Sequence, residues 1–139
     1  MKSTSKICVR YAETDAMGVV YHSNYAVWYE IARTDYIKKL GLTYTQMEQM
    51  GVMTPVVELY CKYISPAKYE DELIVEVELI NMTRVKLEFE YNIYREGEVK
   101  PINTGRTLHA MVDHTMKPIN VQKKHPEFYE KLFAAFQDK

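Results

Sequence analysis

At 139 residues the chain fits one ordinary domain, residues 1–139, and leaves no room for two. A hydrophobic content of 47% excludes a disordered polymer. Eighteen lysines and arginines nearly cancel nineteen acidic residues, which removes the electrostatic reason to expect nucleic acid as a partner.

The hydrophobic period changes twice along the chain. Residues 6–12 read as a short strand, and the glycine-containing stretch from Glu13 to His22 reads as irregular. A helix begins at Ser23 or Asn24, either of which can cap it. Tyr25, Trp28, Tyr29, Ala32, Tyr36 and Leu40 recur at three- and four-residue spacing and form its apolar stripe. Lys38 and Lys39 suit the negative end of the helix dipole, and Gly41 closes the helix in the left-handed conformation. A shorter helix is expected over 44–50, opened by a Thr43/Gln46 capping box and stopped by Gly51.

Beyond Gly51 the period drops to two. Val57, Leu59, Cys61 and Tyr63 alternate with Glu58, Tyr60 and Lys62, describing a strand with one wet face that Pro66 ends. Leu73 to Leu79 and Val85 to Ile93 repeat the pattern, and Glu96-Gly97 marks a turn. A last strand is expected over 99–112 with Leu108, Ala110 and Val112 on one face. A final helix starts at Pro126, with Phe128, Leu132, Phe133 and Phe136 as its stripe. Strands joined by short connections pair antiparallel, and a helix stripe rich in Tyr and Trp needs an apolar sheet face to cover it. The expected fold class is therefore α+β: an antiparallel five-stranded sheet wrapped around the helix at 25–40, with a C-terminal helix. Cys8 and Cys61 read as free buried thiols without metal spacing, and His109, His114 and His125 lack a metal partner at any recognisable distance. No metal site and no cofactor are expected. No apolar leader opens the chain, and no apolar run approaches the ~20 residues that a membrane span needs. A soluble cytoplasmic protein is the expectation.

The stretch that could carry chemistry runs from Tyr11 to Tyr25, Tyr-Ala-Glu-Thr-Asp-Ala-Met-Gly-Val-Val-Tyr-His-Ser-Asn-Tyr. It places the Asp15 carboxylate on a loop, then a glycine that lets backbone approach a ligand, then a helix start with free N–H groups. On these residues alone Asp15 is either a solvated cap or a carboxylate that attacks a carbonyl or activates water while the amides hold the developing oxyanion.

The run Asp15-Ala-Met-Gly-Val-Val-Tyr-His-Ser-Asn-Tyr25, followed by Glu30-Ile-Ala-Arg33, resembles the signature of the 4-hydroxybenzoyl-CoA thioesterase family. It is most similar to the small acyl-CoA thioesterases associated with the Tol-Pal system. The similarity continues through Tyr63-Ile-Ser-Pro-Ala-Lys-Tyr-Glu-Asp71, the Gly105 to Asp113 strand end and the Pro118 loop. The resemblance implies the hotdog fold and hydrolysis of an acyl-CoA to free acid and CoA. It makes Asp15 the catalytic carboxylate, as nucleophile or as general base, and the His22 backbone N–H the oxyanion donor. It places Gly18, Val20, Tyr21 and Glu30 around the substrate and Arg84, in a basic turn, near the CoA phosphates; Lys86 and Lys68 are nearby in pattern, and each of the three could equally be a solvated surface charge. Glu30 stands where the hydroxybenzoyl enzyme has an aspartate reaching the substrate phenol, and His22 replaces an aromatic residue, so a short or medium aliphatic acyl group is favoured. Glu30 could equally be a helix residue satisfied by Arg33 at three-residue spacing.

The competing readings are a thioesterase for acyl carrier protein, which needs a basic docking patch, and a non-catalytic hotdog module that binds acyl-CoA. A dehydratase would pair a histidine with a carboxylate, and His22 with Glu30 is a poor match. A sheet wrapped around one helix leaves an open edge, and the resemblance implies a homodimer that associates to a tetramer.

Overall fold

The aromatic stripe read from the sequence is the axle of the fold. In the computed structural model, which describes Met1–Lys139, helix α1 (Asn24–Lys39) buries Tyr25, Trp28, Tyr29, Ala32 and Tyr36, all from that stripe. Each large aromatic removes roughly 150–250 Å² from water, so this one face supplies much of the core's driving force. The sheet that covers it has strands β1 (Lys2–Cys8), β2 (Val56–Tyr63), β3 (Glu72–Met82), β4 (Lys86–Arg95) and β5 (Asn103–Ala110). Their order is β1-β3-β4-β5-β2, antiparallel throughout. Leu73, Val75, Val77 and Leu79 on β3 and Leu87, Phe89, Tyr91 and Ile93 on β4 form the sheet's side of the core. Helix α2 (Tyr44–Gln49) opens with the expected capping box, the Thr43 hydroxyl accepting from the Gln46 N–H and the Gln46 side chain accepting from the Thr43 N–H. The five-stranded α+β architecture is thus as expected.

Several details differ, each for a physical reason. The first strand lies over Lys2–Cys8 rather than 6–12, and Tyr11–Glu13 forms a single 3-10 turn. Its inward side chains at the start are Ser3 and Ser5, whose polarity hides the alternation; Lys39 Nζ donates to the Ser3 hydroxyl at 2.7 Å, and Ser5 donates to Asp35 at 2.6 Å. Ser23 occupies the N-cap of α1 but makes no side-chain cap hydrogen bond. The fifth strand is shorter than 99–112, since Val99 is exposed in the preceding turn. Leu108 and Ala110 do share one face, and it is the outer one. Asn103, Gly105, Thr107 and His109 point inward while Leu108 and Ala110 are half-buried on the outer face. The inward polar groups are tolerated because they are hydrogen-bonded to one another, to Tyr29 of α1 and to Tyr91 of β4.

Strands β2 and β3 are consecutive but not paired. Residues 64–71 carry the chain from one edge of the sheet across to the β3 position, so β2 ends as an edge strand bonded only to β5. Leu59, Cys61 and Tyr63 face the helix side, opposite Thr107, Gly105 and Asn103, but α1 covers them only in part: Tyr29 reaches Cys61 and Tyr25 packs against Tyr63, while Leu59 and Tyr63 stay about half exposed within one protomer. Neither thiol is fully buried: Cys8 is exposed and Cys61 half-buried. A four-residue helix α3 (Val121–Lys124) precedes α4 (Pro126–Gln137), which buries Phe128, Tyr129 and Leu132 and leaves Phe133 and Phe136 half-covered. No helix is long and apolar enough to cross a membrane.

Candidate active site

The loop between β1 and α1 is folded by its own short-range hydrogen bonds. Asp15 Oδ1 accepts the Met17 N–H at 2.8 Å, the Asp15 N–H donates to the Val19 carbonyl at 2.9 Å, and the Gly18 N–H returns to the Asp15 carbonyl at 3.0 Å. This tight turn needs a residue with positive φ, and Gly18 supplies it at +79°. The Asp15 side chain is half-buried, and its second oxygen, Oδ2, has no protein partner.

Both ends of the loop are anchored by Glu13. Its carbonyl accepts the Tyr21 N–H and the Asn24 side-chain amide, each at 2.8 Å. Its buried carboxylate accepts the Arg10 N–H at 2.8 Å and the Trp28 indole N–H at 3.0 Å. Burial works against that charge, but the hydrogen bonds from Arg10 and Trp28 outweigh it and hold the Glu13 carboxyl below the usual carboxylate range. The Val20 N–H donates to Ala67 O at 2.8 Å, tying the loop to the 64–71 crossover.

At the start of α1 the His22 N–H has no hydrogen-bond partner within the chain. Tyr63 donates its hydroxyl to the His22 carbonyl at 3.0 Å and packs edge-on against Tyr25, fixing that peptide from the strand side. The His22 ring is exposed and lies against Tyr21 at 4.4 Å between centroids. Asp15, Val20, His22, Tyr25 and Tyr63 surround a recess of about 300 Å³. Asp15, whose Oδ2 has no protein partner, and His22, whose N–H has none, thus line the same cavity at the start of α1.

The structure brings Asp15, Gly18, Val20, Tyr21 and His22 together on this loop. Glu30 lies further along α1, exposed, and makes no ion pair with Arg33 within 4 Å, so the three-residue spacing does not satisfy it. Lys68 is exposed next to Ala67, on the segment bonded to the loop. Arg84 sits in the β3–β4 turn and Lys86 opens β4, both at the far end of an eleven-residue strand that spans roughly 35 Å. One protomer does not place them beside Asp15. Sequence reasoning missed Glu13 and Tyr63. The only signal for Glu13 is a second carboxylate two residues before Asp15, and for Tyr63 its place at the head of the second segment that carries the resemblance.

A long helix enclosed by an antiparallel sheet, with a carboxylate loop at the helix start, is the hotdog arrangement expected of a thioester hydrolase. Residues 9–136 match the thioesterase-like superfamily, and the chain belongs to it. It is 40% identical over 128 residues to a putative acyl-CoA thioesterase of Bacillus subtilis, covering 91% of this chain and 92% of that one. It is 38% identical over 123 residues to an acyl-CoA thioesterase of Haemophilus influenzae, covering 76% and 90%. A solved DHNA-CoA thioesterase from Staphylococcus aureus superposes with a TM-score of 0.90 at 38% identity, over 96% of this chain and 89% of that one.

Proposed function

We propose that the whole chain acts as one catalytic unit that hydrolyses acyl-CoA thioesters of short or medium acyl length. The observation that carries this reading is that Asp15 and His22, whose Oδ2 and N–H both lack protein partners, line one recess. The thioester carbonyl oxygen accepts from the His22 amide, with the dipole of α1 behind it. The carbonyl carbon then gains a bond to oxygen, either from Asp15 directly or from a water that Asp15 deprotonates, and the C–S bond breaks as the thiolate leaves. Either route ends in free acid and CoA, and neither needs strong protonation of the leaving group. Gly18, Val20 and Tyr21 shape the entrance, and Lys68, Arg84 and Lys86 are the cations assigned to the CoA phosphates. The relatives' acyl-CoA activities support the substrate class. Two free thiols, one of them exposed, suit a reducing cytoplasm.

The same reading makes the enzyme a dimer that associates further to a tetramer. Strand β2 offers an unpaired edge, and Val27, Ile31, Val56, Val57 and Leu59 are 40–52% exposed on and around it. An uncovered apolar edge of this length invites a second copy. Sedimentation velocity at micromolar concentration should show dimer or tetramer, and a monomer boundary alone would overturn the assembly.

Thiol release measured on matched acyl-CoA and acyl carrier protein thioesters tests the activity. Faster turnover of the CoA ester is expected. Preference for the carrier protein would replace this reading with the carrier-protein one, and binding of acyl-CoA without hydrolysis would make the protein a non-catalytic module.

A further inference from the structure

Glu13 and Asp15 stand two residues apart, and their carboxylates are in opposite states. Asp15 lines the recess with Oδ2 free, whereas Glu13 is buried, stands outside the recess walls and has both oxygens engaged. Its Oε1 accepts the Arg10 N–H at 2.8 Å and its Oε2 the Trp28 indole N–H at 3.0 Å. Neither donor is free to turn away. The Arg10 peptide is held by the 3-10 turn, which the Glu13 N–H closes on the Arg10 carbonyl at 3.0 Å. The indole is buried, with its ring edge-on to Tyr25 at 4.9 Å between centroids. The place therefore suits a group with two acceptor oxygens and no hydrogen, which is an ionised carboxylate.

The main chain of the same residue holds the segments that carry both reacting groups. The Glu13 carbonyl accepts the Tyr21 N–H and the Asn24 side-chain amide, each at 2.8 Å, so it grips the chain on either side of His22. The Tyr21 carbonyl accepts the Asn24 N–H at 3.0 Å, which fixes the peptide that bears the His22 N–H. Thr14 forms an antiparallel bridge with Val20, and the Asp15 N–H reaches the Val19 carbonyl. The segment that presents Asp15 is thereby in register with the one that leads into His22. The bond to Trp28, one turn beyond Asn24, ties this small ladder to α1 so that it does not tilt against the helix.

We propose that Glu13 is a positioning residue for the hydrolysis: it fixes the His22 amide relative to the Asp15 carboxylate, and so sets kcat while leaving substrate binding alone. This inference rests on the acyl-CoA reading and deepens it, because the alignment of the reacting pair falls to a residue outside the recess. A glutamine at 13 has nearly the same shape but presents one oxygen and one NH2 group. Whichever way that amide turns, its NH2 meets an N–H donor in a buried place, and the side chain is driven out. The ladder then loses its hold on Trp28. A misplacement of about 1 Å between reacting groups costs on the order of a hundredfold in rate.

The test measures thiol release, calorimetric binding of an unreactive thioether analogue of the acyl-CoA, and hydrogen exchange at the Tyr21 amide. It uses wild type, Glu13→Gln, Glu13→Asp, Trp28→Phe and the Glu13→Gln/Trp28→Phe double variant, each at a temperature where it is folded. Glu13→Gln should lose about a hundredfold in kcat, with analogue binding within about twofold of wild type. Exchange at Tyr21 should quicken in the same variant. In the Trp28→Phe background, where no indole N–H opposes the amide, the same change should cost less than about tenfold. Glu13→Asp keeps the charge but is one methylene too short to span both donors, and should lose about tenfold in kcat with binding unchanged; it carries the test should glutamine prevent folding. Wild-type kcat in folded Glu13→Gln or Glu13→Asp overturns the proposal. So does a loss that appears in analogue binding rather than in kcat, an undiminished loss in the Trp28→Phe background, or unchanged Tyr21 exchange. Faster Tyr21 exchange in Glu13→Gln with no turnover of any CoA ester by wild type would uphold the Glu13 anchor and overturn the acyl-CoA reading instead.

Discussion

Replacing Asp15 by asparagine is expected to lower kcat for acyl-CoA hydrolysis by about a thousandfold or more, within the range that removal of a positioned base or nucleophile produces. Asparagine is nearly isosteric and keeps an oxygen that accepts the Met17 N–H, so the turn closed by Gly18 has no reason to open. What disappears is the charge on Oδ2. An amide neither attacks a thioester nor takes a proton from water at neutral pH, whichever of the two routes operates. The oxyanion donor is untouched, because the His22 N–H belongs to the helix start and not to the aspartate. KM should therefore move much less than kcat. The readout is thiol release under saturating acyl-CoA, with the thermal unfolding midpoint as control. Turnover near the wild-type rate in a folded Asp15→Asn protein would remove Asp15 from the chemistry.

Much of the frame that holds this carboxylate is legible in the sequence, and the unreadable parts share a cause. Spacing of three and four residues identified the buried face of α1, because a helix surrounded by sheet leaves little choice about which face is apolar. The α2 capping box could be read because all its groups lie within four residues. The inner face of strand β5 is not legible, since a rule that places apolar residues inward does not select Asn103, Gly105, Thr107 and His109. Those residues belong to a polar network assembled from Tyr29, Tyr91 and Thr54, partners that no local window contains. The same limit governs the site. The Asp15 loop is contiguous and was recognisable as a motif, whereas the Glu13 carboxylate reaches Trp28 fifteen residues on and Tyr63 reaches the His22 carbonyl across forty-one. Positioning groups like these become visible only once the chain has folded.

Gly105 is where that inner polar face is least tolerant, and Gly105→Ala is expected to cost about 1–3 kcal/mol of stability, the usual scale of overpacking. The reason is close approach rather than backbone freedom. A Cβ at this position would stand 2.6 Å from both Cε2 and Cζ of Tyr29. The Tyr29 ring cannot retreat, since it is fully buried, stacks on Tyr91 with centroids 4.3 Å apart, and donates its hydroxyl to Asn103. Either the helix or the strand must shift. The unfolding midpoint should fall by roughly 3–10 °C for a domain of this size. In a Tyr29→Ala background the same substitution should cost far less, because the three atoms nearest that Cβ all belong to Tyr29. A single variant as stable as wild type would show that the sheet can open by a few tenths of an ångström without penalty. The effect should also reach the chemistry, because Tyr29 lies one turn beyond Tyr25, whose ring meets the Tyr63 that holds His22. Lateral displacement of α1 would carry the His22 amide out of line with Asp15, so kcat in Gly105→Ala should fall even at temperatures where the protein is fully folded.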